Sequence, residues 1–399
     1  MKTPHRRIVT LVIGLAFWMV CAARAFAQQV PLTNALKLES ATLIGARPST
    51  GPLIPVIGDG RAHLAYELYL TNYGKKPVHV VSLNVHSANG AAFATTIERD
   101  ALKSAFTPAA PPSRLTGYDS LLAPGASGVL YVFLDFSASK APRRLASSIV
   151  VETEGEPHSA QRIVLDDLTV QSSGAALINE PFTGDRWLAV NGPSNTSLHR
   201  RAVIVLNGTP RIPERYAIDF IKLGADGSSY SGDEHKNASY HAYKTPILAV
   251  ADGTVVSAMD GLPENVPHGD KLAVTLTLTS LPGNNVVEDI GGGLYVGYAH
   301  LIPGTLRVKP GEHVHRGQVL GRLGNSGNST EPHLHIQVCN GPSFMMCEGV
   351  PMEFKRMTRA TYRIDRRGET PIKLEITNGQ AMEGQEPMED ELVSFPAED

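Results

Sequence analysis

Short runs in which apolar and polar residues alternate dominate the first half of the sequence. Between residues 36 and 170 these runs are separated by segments rich in proline and glycine, such as residues 72–77. Successive side chains of a β-strand point to opposite faces, so the alternation gives each strand one apolar face. The clearest runs lie at residues 63–70, 78–85, 129–136 and 148–152. The pattern predicts an all-β chain, with an immunoglobulin-like β-sandwich domain over residues 30–172.

The N-terminus has the order of a secretory signal peptide. Basic residues precede an apolar stretch over residues 8–23, and Ala25-Phe26-Ala27 has the small-x-small form of a cleavage site. A retained membrane anchor is the alternative, but the stretch is shorter than the roughly 20 residues of a spanning helix. We predict that residues 1–27 are a cleaved signal peptide and that the mature chain is periplasmic or secreted.

The remaining sequence predicts a second β-rich domain over residues 179–354. No later segment is apolar enough to span a bilayer, so we expect no membrane contact after cleavage. The net charge of −3 gives no indication of a nucleic-acid partner. Beyond Arg366 the chain is polar, and residues 381–399 contain no Lys or Arg. This composition predicts a disordered acidic tail over residues 367–399.

Two cysteines remain after cleavage, Cys339 and Cys347. An oxidising compartment permits a disulfide between them. A metal-binding pair is the alternative, but the spacing is not the Cys-x-x-Cys of a zinc knuckle. We therefore predict the disulfide.

A His-x-His motif follows a loop rich in Gly, Asn and Ser at residues 324–331. On a strand, His333 and His335 project to the same face. Two imidazoles held side by side can share a metal ion and its water. The pair is weak evidence by itself, because histidine pairs also occur on strands by chance.

Four further motifs precede the histidine pair in a fixed order. They are RYAID at residues 215–219, PILAVADGTVV at 246–256, YAHL at 298–301 and PGEHVHRGQVLG at 310–321. Together these motifs resemble those of the lysostaphin-like (LytM-type) zinc metallopeptidases, a family of peptidoglycan endopeptidases. The resemblance covers about residues 215–338. It implies a duplicated-hybrid-motif β-fold for the second domain.

The resemblance also implies a metal site and a catalytic pair. Asp219 and His335 would bind one Zn²⁺ per chain, and His300 and His333 would serve the reaction. No other cofactor is implied. Three protein ligands on zinc leave a position for a water molecule, whose pKa falls towards neutral, while the metal polarises the scissile carbonyl. One histidine can then move protons and the other can stabilise the oxyanion.

Arg215 stands where the family has its first zinc ligand. A guanidinium only donates hydrogen bonds and stays charged, so it cannot bind zinc. We predict that His199 replaces this ligand, carried on a strand over residues 198–206 that forms a hairpin with residues 214–220. His235 and His241 are alternatives, and the absence of any third histidine is another.

Three functions remain open on the sequence. The first is an exported zinc metallopeptidase that hydrolyses peptide bonds of cell-wall peptidoglycan, with the peptidoglycan peptide as its substrate. The second is a degenerate LytM-type domain that binds peptidoglycan or activates a cell-wall amidase, which Arg215 favours. The third is a structural envelope protein. The three site histidines favour the first, and the sequence gives no indication of the oligomeric state.

Overall fold

Strands provide nearly all of the regular structure, so the prediction of an all-β chain is confirmed. The computed structural model describes residues 43–49, 53–88, 93–108, 120–137, 141–172 and 174–396. The predicted signal peptide lies outside these residues and stays a prediction. From Leu43 onward the chain forms one compact unit. No helix among the described residues is long and apolar enough to cross a membrane.

The described residues of the N-terminal part, here called the sandwich, form two antiparallel sheets and one short helix, α1 (Arg99–Ala105). Its strands are β1 (Ile44–Pro48), β2 (Val56–Gly58), β3 (Arg61–Asn72), β4 (Val78–Ser87), β5 (Ala94–Glu98), β6 (Phe106–Pro108), β7 (Leu121–Leu122), β8 (Ser127–Ser137), β9 (Arg144–Thr153), β10 (Gln161–Val164) and β11 (Leu168–Thr169). One sheet has the order β1-β3-β8-β6, with β2 on β3. The other has the order β10-β9-β4-β5, with β7 on β4 and β11 on β9.

The alternating side chains of β3 show how the sandwich encloses its core. Leu64, Tyr66, Leu68 and Leu70 are buried, and they share one hydrophobic cluster with Leu83 of the opposite sheet. The two sheets therefore cover a common apolar interior. The immunoglobulin-like topology stays a prediction.

The remaining elements belong to the second part of the chain. They include α2 (Leu198–Arg201) and a 3₁₀ helix (Asn237–Ser239). The strands are β12 (Ala176–Ile178), β13 (Gly184–Val190), β14 (Ile204–Leu206), β15 (Thr209–Arg211), β16 (Ile218–Lys222), β17 (Pro246–Leu248), β18 (Gly253–Met259), β19 (Asn284–Asp289), β20 (Tyr295–Leu301), β21 (His313–Val314), β22 (Val319–Arg322), β23 (Leu334–Cys339), β24 (Gly349–Val350), β25 (Met352–Phe354), β26 (Met357–Arg367), β27 (Thr370–Met382) and β28 (Leu392–Phe395).

One long antiparallel sheet, here called the main sheet, organises this part. Its order is β21-β18-β19-β20-β23-β16-β13-β28-β26-β27, and β24 pairs with β23. Its hydrophobic cluster includes Trp187, Phe220 and Ile336, all fully buried. The predicted disulfide is confirmed, because Cys339 at the end of β23 is bonded to Cys347. The central strands β20, β23 and β16 carry most of the predicted site residues.

The prediction of a disordered tail over residues 367–399 is wrong for the residues that the structure describes. β27 pairs with β26, and β28 lies between β13 and β26 in the main sheet. The acidic composition is misleading because the charges find partners on neighbouring strands: Glu391 binds Arg359 at 3.0 Å. The apolar residues of β28, including Val393 and Phe395, are buried in the core.

Replacing Phe395 by alanine is expected to lower the free energy of unfolding by about 3–5 kcal/mol, as for other buried aromatic side chains. Its ring packs against Phe182, Phe220 and Phe354, with centroids 5.5, 5.8 and 5.1 Å away. Urea denaturation measures the change. The control is Ile376→Ala on β27, where the side chain is 46% exposed and the expected change is within about 0.5 kcal/mol. Equal costs for the two variants would contradict the role of β28.

Candidate metal centre

The register of three central strands brings the predicted site residues together. Asp219 of β16 lies opposite His335 of β23, and His335 lies opposite Ala299 of β20. His300 follows Ala299 in a β-bulge: Asn284 pairs with Leu301 and Val286 with Tyr298, which leaves two residues of β20 opposite one of β19. Paired residues of antiparallel strands are close neighbours, so this register places a carboxylate beside two imidazoles.

His199 completes a cluster with Asp219 and His335. The His199 Nε2 lies 3.1 Å from Asp219 Oδ2, and His335 Nδ1 lies 3.0 Å from Asp219 Oδ1. One nitrogen or oxygen from each residue lies within 4.8 Å of the others, and all three residues are buried. The structure thus brings together the three residues predicted as ligands.

The predicted route of His199 to Asp219 is wrong, although the proximity is present. His199 lies on α2 and not on a strand, β14 pairs with β15, and β16 pairs with β13 and β23. Val190 at the end of β13 pairs with Asp219, and the following segment brings His199 Nδ1 to within 3.0 Å of the carbonyl of Asn191, the next residue after β13. The predicted strand over residues 198–206 is present only as β14, because residues 198–201 form a helix too short to show a helical periodicity in the sequence.

The two alternative histidines lie outside the cluster. His235 Nδ1 donates to the carbonyl of Pro267 at 3.0 Å, and its side chain is 57% exposed. His241 is exposed. Neither belongs to the group of side chains that could hold a metal ion.

Backbone hydrogen bonds determine which nitrogen of His199 faces the cluster. Its Nδ1 lies 3.0 Å from the carbonyl of Asn191 and 3.2 Å from the carbonyl of Ala217. A carbonyl only accepts, so Nδ1 carries the hydrogen. In the neutral ring Nε2 therefore has the lone pair, and it is directed at Asp219. An orienting bond of this kind is typical of metal-bound histidines.

Gln337 fixes His335 in the same way. The Gln337 amide nitrogen donates to the carbonyl of Phe344 at 2.7 Å, so its Oε1 is the atom that accepts from His335 Nε2 at 2.9 Å. The neutral His335 ring then has its lone pair on Nδ1, which faces Asp219. Gln337 is not among the site residues predicted from the sequence. The signal was available, because residues 335 and 337 project to one face of a strand.

His300 and His333 lie beside this cluster, with ring centroids 4.7 Å apart. Their Nδ1 atoms donate to the carbonyls of Ser326 and Glu331, each at 2.8 Å. His333 Nε2 lies 3.3 Å from Asp219 Oδ1. His300 has a φ of 63°, a conformation uncommon outside glycine that a β-bulge can impose.

The charges of the cluster are strongly coupled. Burial by itself would raise the pKa of Asp219, but the attraction of His199 and His333 holds that pKa well below its usual value. Burial favours the neutral form of His199, yet the attraction of Asp219 outweighs it and raises the pKa of His199 to about 9. Burial and the neighbouring His333 and His335 lower the pKa of His300 well below its usual value.

The donor set fits a zinc ion. Zinc in catalytic sites takes three protein ligands drawn from imidazole nitrogen, carboxylate oxygen and thiolate sulfur. His199 Nε2, an Asp219 oxygen and His335 Nδ1 provide such a set, and their lone pairs converge within 4.8 Å. Both imidazoles are already held by hydrogen bonds on their other nitrogen.

Arg215 is occupied elsewhere. Its Nη2 lies 2.7 Å from Glu67 Oε2, and it also forms an ion pair with Glu348. Glu67 belongs to β3 of the sandwich, and all three side chains are buried. The charge of Arg215 is therefore balanced by carboxylates that do not belong to the cluster.

Comparison with known proteins shows which family part of the chain is similar to. Residues 234–344 match the model of Peptidase family M23. The chain carries an M23 domain. The matched segment of the M23 domain contains His300, His333 and His335, whereas Asp219 and His199 precede it.

A curated relative of the M23 domain is the peptidoglycan DD-endopeptidase ShyA of Vibrio cholerae serotype O1. The two are 34% identical over 110 residues, which make up 27% of this chain and 21% of the relative. The match thus spans about a fifth of the length of that relative.

Solved structures similar to the chain include two peptidase domains. The catalytic domain of lysostaphin from Staphylococcus simulans is 22% identical, with 41% of this chain and 88% of that chain covered and a TM-score of 0.24. The catalytic domain of the M23 protein EnpA from Enterococcus faecalis, an A109H mutant, is 24% identical, with coverages of 31% and 85% and a TM-score of 0.21.

Proposed function

We propose that this protein is an exported zinc metallopeptidase that hydrolyses peptide bonds of bacterial cell-wall peptidoglycan. The observation that carries the proposal is the convergence of His199, Asp219 and His335 beside His300 and His333. The M23 domain and the similarity to a peptidoglycan endopeptidase support the substrate class. The predicted signal peptide supports export to the periplasm or beyond.

In this proposal His199 Nε2, Asp219 and His335 Nδ1 hold one Zn²⁺. When bound, zinc supplies Lewis acidity, which polarises a carbonyl group and lowers the pKa of water. His300 and His333 handle protons and charge. Because both donate Nδ1–H to backbone carbonyls, their Nε2 atoms are the ones that can accept a proton from the attacking water. Once protonated, the same Nε2–H can stabilise an oxyanion or protonate the leaving amine.

The test measures zinc content and turnover of the chain without residues 1–27. We expect about one zinc per chain, release of soluble fragments from purified sacculi, loss of release after chelation, and recovery on addition of zinc. Sedimentation with sacculi runs in parallel. A chain that sediments with sacculi but binds no zinc and releases nothing would overturn the proposal in favour of a binding or amidase-activating role.

Replacing Gln337 by leucine is expected to weaken zinc binding by about 10- to 100-fold, the usual effect of losing a group that orients a metal ligand. Leucine removes the acceptor that fixes the His335 ring. Competition with a chromophoric chelator measures the affinity. Gln380→Leu, which removes an exposed glutamine of β27 outside the cluster, is the control and should keep the parental affinity. Equal affinities for the two leucine variants would contradict the orienting role.

A further inference from the structure

Four buried charged side chains connect the sandwich with the chain around the candidate metal centre. Glu67 of β3 contacts Arg200 of α2, with 3.1 Å between Oε1 and Nη2, and it contacts Arg215 at 2.7 Å. Arg215 also pairs with Glu348. The side chains of Glu67 and Arg200 are 0% exposed. Two guanidinium groups thus share one carboxylate in the interior of the protein.

The sandwich holds α2 by both of its arginines. Arg200 Nη2 donates to the carbonyls of Tyr66 and Val132, each at 2.9 Å. Arg201 Nη1 donates to Thr107 Oγ1 at 2.8 Å, and its guanidinium lies 4.3 Å from the ring centroid of Tyr131. A helix of four residues has little stability of its own. Its position therefore depends on these contacts.

His199 immediately precedes Arg200, and its side chain contacts the metal centre while that of Arg200 contacts the sandwich. The imidazole reaches Asp219 at 3.1 Å, and Arg200 reaches Glu67. A shift of α2 that weakens the Arg200 contacts would also move His199 Nε2. Metal binding requires ligand positions correct to within about half an ångström.

The charge of Glu67 is what makes this contact strong. Burial by itself would raise the pKa of Glu67, but Arg215 and Arg200 outweigh burial and lower it. The carboxylate is therefore ionised, and it separates two cations. Without its charge, the two arginines would face each other in the interior, where like charges repel strongly.

We infer that Glu67 is a positioning residue of the metal centre: through Arg200 it fixes α2 and thereby the ligand atom of His199. The inference rests on the proposed function, because it takes His199 as a zinc ligand. It assigns the sandwich a role in assembling the site, and it explains the occurrence of Arg215 at the position of a family ligand. The guanidinium is the second partner of the same carboxylate.

The experiment compares Glu67→Gln with the unchanged chain. We expect the dissociation constant for zinc to rise about 10- to 100-fold, as for other groups that orient a ligand. We also expect the visible absorption spectrum of the Co²⁺-loaded chain to change, because one ligand is displaced. Arg200→Met removes the other partner of the same ion pair, on α2, and should have the same two effects.

Glu353→Gln is the matched control. Glu353 is another glutamate that reaches the sandwich, where its Oε1 accepts from the backbone N–H of Ile57 at 3.3 Å, but it has no hydrogen bond with α2. We expect parental zinc affinity and an unchanged Co²⁺ spectrum. A general effect of loosening the sandwich would change this variant too, and that result would overturn the inference.

A third measurement needs no variant. If α2 couples the two parts, zinc binding slows hydrogen exchange of the backbone amides of both α2 and β3 in the unchanged chain. Parental zinc affinity in Glu67→Gln or Arg200→Met, or unchanged exchange in β3 on zinc binding, would overturn the inference. If the unchanged chain binds no zinc, the proposed function fails first. If the unchanged chain binds zinc and hydrolyses peptidoglycan, these measurements test the positioning role of Glu67 alone.

Discussion

His199→Ala is expected to lose both zinc and turnover. His199 Nε2 lies 3.1 Å from Asp219, and the ring is fixed by two backbone carbonyls, so its removal leaves two ligands of three. The Lewis acid contributes several kcal/mol to such reactions, and each 1.36 kcal/mol is a factor of ten, so kcat/KM should fall about a thousandfold or more. Metal analysis and release of soluble fragments from sacculi measure the two losses.

The matched control for this variant is His241→Ala. On the sequence His241 is an alternative to the predicted His199 as third ligand, but it is exposed and lies outside the cluster. We expect its removal to leave zinc content and kcat/KM unchanged. The assignment of His199 would fail if its variant kept one zinc per chain, or if the His241 variant lost the metal.

Arg215→Met is expected to lower the free energy of unfolding by about 3–5 kcal/mol, because removing one partner of a buried ion pair leaves an uncompensated charge. Arg215 is 5% exposed and pairs with Glu67 and Glu348. Methionine can fill the volume but balances neither carboxylate. Chemical denaturation in the presence of a chelator measures the change without a contribution from bound metal.

Two further variants serve as comparisons for Arg215→Met. Arg144→Met removes an exposed arginine, 52% accessible, from its ion pair with Asp167, and should cost at most about 1 kcal/mol. The double variant Arg215→Met, Glu348→Met removes a charge of each sign and should recover part of the loss. A loss in Arg215→Met no larger than in Arg144→Met would show that the buried network contributes little to stability.

Local sequence patterns and the order of the motifs were sufficient to predict strands of the fold and most residues of the candidate site. Alternation in residues 63–70 predicts β3, and the motifs at residues 215–219, 298–301 and 333–335 predict residues that the main sheet brings together. The strand inference depends on side-chain periodicity, which a sequence records directly, whereas the site residues were named through the resemblance of the motifs to a known family. The same periodicity places Gln337 on the face of His335, but Gln337 was not predicted.

Other features depend on partners that are distant in sequence. Glu67 occurs in an alternating run and there resembles any solvent-facing strand residue, whereas Arg200 and Arg215 make it a buried anion. β28 looked like part of an acidic tail because its neighbours β13 and β26 are formed by other segments. His199 was predicted as a ligand from a hairpin that the structure does not contain. Its proximity to Asp219 depends on the course of the loop after β13.

The place of β28 in the main sheet has a consequence for the order of folding. Gly184 pairs with Phe395, so β13 gains its second neighbour in the main sheet only when β28 is available. β13 is also the neighbour of β16, which carries Asp219. Contacts between such distant segments form late and slowly. We therefore expect a nascent chain that has not yet formed β28 to lack an assembled candidate metal centre, because β16 and its Asp219 depend on β13.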